Sequence, residues 1–166
     1  MAMQSQTEPK PRVKARPEGY HSVTPYLIVS GAAKAIEFYK KALGAVELFR
    51  MDCGDGKLGH AEIKIGDSPI MLADEYPDMG YRSAQSIGAT PVSILVYVDD
   101  VDSVFKRALA AGGTQLKPLQ DQFYGDRSGT FTDPFGHVWT VATHIEDVPS
   151  QELNRRMQEM MKKQGA

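Results

Sequence analysis

His60 and Glu62 stand two residues apart in the run Leu58–Ile65, where alternation puts His60, Glu62 and Lys64 on one face and Ala61, Ile63 and Ile65 on the other. The apolar row must face a core, which turns the imidazole and the carboxylate toward a cavity or solvent. There they can serve as a general base with its orienting partner, or as two ligands of a metal ion; a solvated polar face is the plain alternative. His144 follows the parity of Val138, Thr140 and Ala142 and reaches the rim of the same cavity, whereas His137 falls with Trp139 and Val141. Either histidine can equally be a structural hydrogen-bonding group. Arg127 shares its facing with Phe131, four residues on, and its planar fork suits a carboxylate or phosphate on a ligand, with Asp126 or Asp133 as competing partners. Tyr26, Tyr97, Tyr124 and Phe131 offer aromatic walls for a planar or amphipathic small molecule, unless they pack a core.

The elements that would position these groups follow from the hydrophobic pattern. Residues 1–19 carry three prolines among Lys10, Arg12, Lys14 and Arg16 and too little apolar surface to order themselves, so they read as a basic tail. The run from His21 to Val29 is a strand, interrupted by Pro25 and therefore near a sheet edge. Ala32 to Leu43 spaces Ala35, Ile36, Tyr39 and Leu43 as one helical face closed by Gly44. Strands are expected over Val46 to Cys53, Leu58 to Ile65 and Ile70 to Ala73. Gly54-Asp55-Gly56-Lys57-Leu58-Gly59 matches a phosphate-loop pattern in letters, but it joins two strands and opens no helix, so it is a hairpin turn.

A shift of 69 residues then repeats the plan, carrying Val29 to Val98, Ile36 to Phe105, Gly44 to Gly113, Ile70 to Trp139 and Leu72 to Val141 without a gap. The expected organisation is therefore a βαβββ module over 20–74, a linker or cavity loop over 75–90, a second βαβββ module over 91–147 and an amphipathic helix over 148–166. That helix sets Leu153, Met157, Met160 and Met161 on one face, with Ser150 as its N-cap, and docks on the body or on a second subunit.

The 166 residues suffice for one compact body, and 42% hydrophobic with 24% charged residues is the mix of a soluble globular chain, which the two βαβββ patterns make α+β. A net charge of −2 offers no electrostatic reason to bind nucleic acid or anionic lipid, and no stretch approaches a membrane span. The single cysteine, Cys53, excludes an internal disulfide framework and an all-cysteine metal cage; with no secretory leader pattern at the N-terminus, it points to the cytoplasm.

Several motifs together resemble a known family. Thr24-Pro25-Tyr26-Leu27, Ile36-Glu37-Phe38-Tyr39 before Leu43-Gly44, Tyr124-Gly125-Asp126-Arg127 and Asp133-Pro134-Phe135-Gly136-His137-Val138-Trp139 are similar to the vicinal oxygen chelate superfamily, in its PhnB-like glyoxalase/bleomycin resistance branch. The resemblance covers about Gly19 to Asp147. It implies two βαβββ modules, each a curved mixed sheet, paired around a cavity and usually assembled as a homodimer. In metal-using members four inward positions hold one divalent ion; by the resemblance these fall on Thr24, Met71, Ser93 and Thr140. Hydroxyls and a thioether hold such an ion poorly, so no metal and no other cofactor is expected. The expected function is binding, and possible sequestration, of an aromatic or amphipathic small molecule. The alternative is a glyoxalase-like, metal-dependent lyase or related enzyme using a displaced site at His60 and Glu62, with His144 as a further candidate ligand.

Overall fold

The computed structural model describes residues 13–164. Most of the expected basic tail, residues 1–12, lies outside them. The chain forms β1 (Tyr26–Val29), α1 (Ala32–Leu43), β2 (Val46–Asp52), β3 (Leu58–Ile65), β4 (Ser68–Asp74), a 3-10 turn (Pro77–Met79) and α2 (Ala84–Ile87). The second half adds β5 (Ser93–Tyr97), α3 (Val101–Ala110), β6 (Thr114–Asp121), β7 (Asp126–Thr132), β8 (Val138–His144) and α4 (Ser150–Gln164). The halves make two open four-stranded mixed sheets, ordered β1-β4-β3-β2 and β5-β8-β7-β6. In each, the first strand pairs parallel with the last and the hairpin strands pair antiparallel.

One face of each sheet packs on the helices. Leu27, Val29, Ala61, Ile63, Ile65 and Leu72 from the first sheet and Phe131, Trp139 and Val141 from the second meet Ile36, Phe38, Tyr39, Val104 and Phe105 in one core. On β3 the period of two turns His60 and Glu62 to the opposite face, where both are only half-buried.

The repeat is visible in the hydrogen-bond register. Tyr26 pairs with Met71 as Leu95 pairs with Thr140, and Ile28 with Ala73 as Tyr97 with Ala142, a shift of 69 residues. It is not gapless. Ile63 opposes Ile70, but Phe131 opposes Trp139, so β3 maps to β7 at a shift of 68. The two-residue turn at Gly66 and Asp67 is replaced by the longer loop from Asp133 to His137, which absorbs the difference. The helix stops differ too. Gly44 closes α1 at φ 67°, whereas α3 ends at Ala110 and the left-handed residue is Gly112, at φ 118°, not Gly113.

Polar anchors obey the repeat as well. Asp74, buried at the end of β4, accepts from the Gly31 and Ala32 amides at 2.7 and 3.0 Å, so α1 is capped from a distant strand. Thr143, its counterpart, accepts from the Val101 amide of α3 at 3.1 Å. The C-terminal helix begins at Ser150 itself, with the Pro149 carbonyl taking the Leu153 amide, so Ser150 is its first helical residue and not its N-cap. Arg156 ties it to the body through Glu146 and the Phe123 carbonyl, while Met157 and Met161 stay exposed.

Candidate functional site

Across this face of the first sheet, Tyr26, Met71, Glu62 and Phe49 stand in one row over β1, β4, β3 and β2, and Met51 opposes His60 in the next. The Tyr26 hydroxyl lies 2.8 Å from His60 Nδ1, and His60 Nε2 lies 3.1 Å from Glu62 Oε1. Tyr20, just ahead of β1, donates its hydroxyl to Glu62 Oε2. An ionised Glu62 can only accept, so it takes Nε2–H and leaves Nδ1 to receive the Tyr26 proton. The Tyr20 hydrogen bond, more than that of His60, holds the Glu62 carboxyl below its ordinary range against the opposing effect of burial. Tyr20 itself is pushed up to about 12, by burial first and then by Glu62. The result is a continuous chain Tyr20–Glu62–His60–Tyr26 with a phenol at each end.

Tyr26 also walls a cavity of about 700 Å³ at the end of this face, shared with Ile28, Cys53, Tyr76, Met79 and Tyr81. The covering segment from Glu75 to Tyr81 belongs to the expected linker, and its 3-10 turn and the Tyr76–Tyr81 bridge give it a defined shape. Two further cavities, of about 620 and 670 Å³, follow the seam where β1 and β5 approach. Their shared walls, Val23, Pro25, Ile94 and Leu95, are apolar. Of these three, the cavity beside Tyr26 gathers three phenols, a thiol and the carboxylates of Asp55 and Asp74 next to Ile28, Ala73 and Met79, a mix of apolar walls and polar groups that orients a small ligand.

On the second sheet, Tyr97 donates to Asp126 Oδ2 at 2.8 Å, and His144 sits between Asp126 at 2.7 Å and Asp147 at 2.9 Å. His144 ends β8 on the second sheet, lines none of the three cavities above, and is engaged by two carboxylates. Hydrogen bonding to Asp126 first, then to Asp147, raises its pKa. A raised folded pKa stabilises fully below the unfolded value near 6.5, and the contribution is lost as pH rises through the folded value. Melting curves of the wild-type chain and His144→Gln should therefore differ most at about pH 5.5, below the unfolded value, and converge as the pH rises through the raised folded value. A gap independent of pH would refute the assignment.

Two expected ligand contacts move elsewhere. Phe131 is fully buried in the core between Phe38 and Phe105, and Arg127, sharing its parity, points to the helix side and pairs with Asp102 and Asp121 at 2.8 and 2.9 Å. The parity was right and the face was wrong: a phenylalanine gains more from the core than the Asp126, Ser128, Thr130 and Thr132 row does. Tyr124 sits on the turn before β7, edge-on to Phe123. His137 spans the modules, its Nε2 3.2 Å from the Ile28 carbonyl oxygen. Of the expected set, then, Tyr26, His60 and Glu62 are brought together, while Tyr97 and His144 form a second cluster. Tyr20, Tyr76, Tyr81 and Cys53 were not foreseen; only the aromatic content of the linker hinted at a cavity cover.

The positions that the resemblance assigns to metal ligands hold Thr24, Met71, Ser93 and Thr140, and the Thr140 hydroxyl already shares a 2.9 Å hydrogen bond with Thr130. Among the described residues, no three His, Cys, Asp or Glu side chains are grouped to hold a metal ion.

A family model described as the Glyoxalase/Bleomycin resistance protein/Dioxygenase superfamily matches residues 19–141. An uncharacterized protein of Mycobacterium tuberculosis, Rv0887c, is 45% identical over 139 residues, covering 82% of this chain and 82% of its own. Among solved structures, protein PA1353 of Pseudomonas aeruginosa is 29% identical with a TM-score of 0.62, covering 75% of this chain and 98% of its own. TioX from Micromonospora sp. ML1 is 26% identical with a TM-score of 0.58, covering 78% and 100%.

Proposed function

Starting from the fact that the chain belongs to the Glyoxalase/Bleomycin resistance protein/Dioxygenase superfamily, we propose that it binds a small aromatic or amphipathic molecule, without a metal ion, in the cavity beside Tyr26. The observation that carries this reading is the approximately 700 Å³ cavity itself, with Tyr26, Tyr76 and Tyr81 among its walls and the Tyr26 hydroxyl held at one side by His60.

The donor chemistry supports a metal-free site. Two threonines, a serine and a methionine stand where carboxylates and imidazoles would be needed. A displaced site at His60 and Glu62 fits no better, because both ring nitrogens of His60 are already engaged, by Tyr26 and by Glu62. A ligating imidazole needs a free nitrogen lone pair.

The chain works as a homodimer in this reading. Val23, Ile87, Val92 and Leu95 are exposed large apolar side chains gathered along the β1–β5 seam, a surface that a second copy would cover. Among the described residues no helix is long and apolar enough to cross a membrane. The lone, exposed thiol of Cys53 supports a reducing, cytoplasmic setting.

Cys53 also supplies the test, since it lines the cavity and is open to reagents. In a panel of small aromatic and glycopeptide-like compounds, those that raise the melting temperature are expected to slow N-ethylmaleimide modification of Cys53 about fivefold or more; at a hundred times Kd the added stability is about 2.7 kcal/mol. Compounds that stabilise the protein while leaving the Cys53 rate unchanged would move the binding site elsewhere and defeat the proposal.

A further inference from the structure

We infer that Tyr26 is a metal-free proton-transfer centre, with His60 as the acceptor of its phenolic proton and Glu62 and Tyr20 as the groups that hold the resulting imidazolium. The inference rests on the binding proposal only in taking the cavity beside Tyr26 as the place where a ligand sits.

Three observations converge. The Tyr26 hydroxyl is within hydrogen-bond reach of His60 Nδ1, and the opposite nitrogen is fixed on Glu62, the arrangement of a nucleophile, a base and an orienting carboxylate. Glu62 is in turn locked by Tyr20, so the carboxylate cannot swing away. The phenol at the other end lines an aromatic cavity. Around the imidazole, β2 brings Met51 and Phe49 and β4 brings Met71 and Ala73, while the titratable groups of the cavity, Cys53, Asp55, Asp74, Tyr76 and Tyr81, lie beyond Tyr26. Burial raises the Tyr26 pKa, so the phenol is protonated at rest and acts only as its proton leaves for His60.

The ligand class that fits is a carbon acid, a molecule with a C–H bond next to a carbonyl. Its proton passes to Tyr26 Oη as the phenolic proton passes to His60 Nδ1. The C–H electron pair becomes an enolate, the phenol is restored in the same transfer, and the one proton gained rests on the imidazole, balanced by the Glu62 carboxylate. Return of a proton to a different ligand atom completes an isomerisation that uses no oxidant, reductant or metal. Tyr26 is the catalytic residue; His60, Glu62 and Tyr20 are positioning residues.

The test needs no natural ligand. Phenylmethanesulfonyl fluoride is added to the full-length protein, and the sites of sulfonylation are mapped by mass spectrometry against time. In this probe reaction the Tyr26 oxygen–sulfur bond forms, the sulfur–fluorine bond breaks, fluoride leaves and the phenolic proton goes to His60. Tyr26 should react about tenfold or more faster than Tyr124, which is similarly exposed and has no histidine partner. His60→Phe should bring Tyr26 down to the Tyr124 rate. Glu62→Gln, which preserves shape, should give an intermediate rate and displace the pH profile. Equal rates for Tyr26 and Tyr124 in the wild type, or a Tyr26 rate unchanged in both variants, overturns the inference. Ligand protection of Cys53 is read separately: an inert Tyr26 with Cys53 still protected removes the proton transfer and keeps the binding site.

Discussion

Asp133→Ala should lower the melting midpoint by about 8–16 °C, because one buried carboxylate serves four donors. Asp133 Oδ2 accepts from the Tyr39 hydroxyl at 2.7 Å and the Trp139 indole at 2.8 Å, and Oδ1 accepts from the Phe135 and His137 amides at 2.9 Å each. Tyr39 and Trp139 have no solvent exposure, so their polar atoms cannot turn to water when the carboxylate is removed. Each stranded donor costs about 1–3 kcal/mol, and even with both amides partly hydrated the loss is about 4 kcal/mol. For a chain of this size each kcal/mol shifts the midpoint by about 2–4 °C. Tyr39 belongs to α1 and Trp139 to β8, so the damage falls on the joint between the halves. Asp133→Asn keeps one accepting oxygen and should lose roughly half as much. A scanning-calorimetry midpoint within about 3 °C of wild type for Asp133→Ala would refute this account.

Asp74→Ala comes second, and its repeat partner supplies the control. Besides the Gly31 and Ala32 amides, Asp74 accepts from the Leu58 amide at 2.8 Å, where β3 begins. Three amides lose their acceptor at once, so about 3 kcal/mol of stability should go, with rapid hydrogen exchange confined at first to the start of α1 and to Leu58. Thr143→Val frees only the Val101 amide and the Val98 carbonyl and should cost about 1–2 kcal/mol. Because Leu58 leads directly into the strand that carries His60, the Asp74 variant should also slow sulfonylation of Tyr26, and the Thr143 variant should leave it unchanged. Equal losses for the two variants would mean that the shared anchor position, not the number of amides it serves, sets the cost.

The placement of His60 and Glu62 opposite the core face was legible from three apolar residues alternating with them, because burying Ala61, Ile63 and Ile65 leaves only one facing for the rest. Helix α1 was legible for the same reason at a period of 3.6, and its end was marked by a glycine that adopts a left-handed conformation. The same logic, applied to β7, would have put Phe131 in the core had the aromatic ring been weighed as apolar surface before being imagined as a cavity wall. The one-residue slip between the halves was not legible, since hairpin length is decided by how the Asp133 loop closes.

What the sequence alone determined is the set of faces of the clearest elements, which follows from local alternation; the shift of 69 residues added the two-module α+β plan, and the shared motifs the resemblance to the family. What the tertiary structure decided is who meets whom. Tyr20 reaches Glu62 across 42 residues, Tyr26 reaches His60 across 34 and Tyr39 reaches Asp133 across 94. A polar side chain leaves no periodic trace of its partner, because the energy that selects the pair arises only when folding removes both from water and leaves each the other as its nearest match.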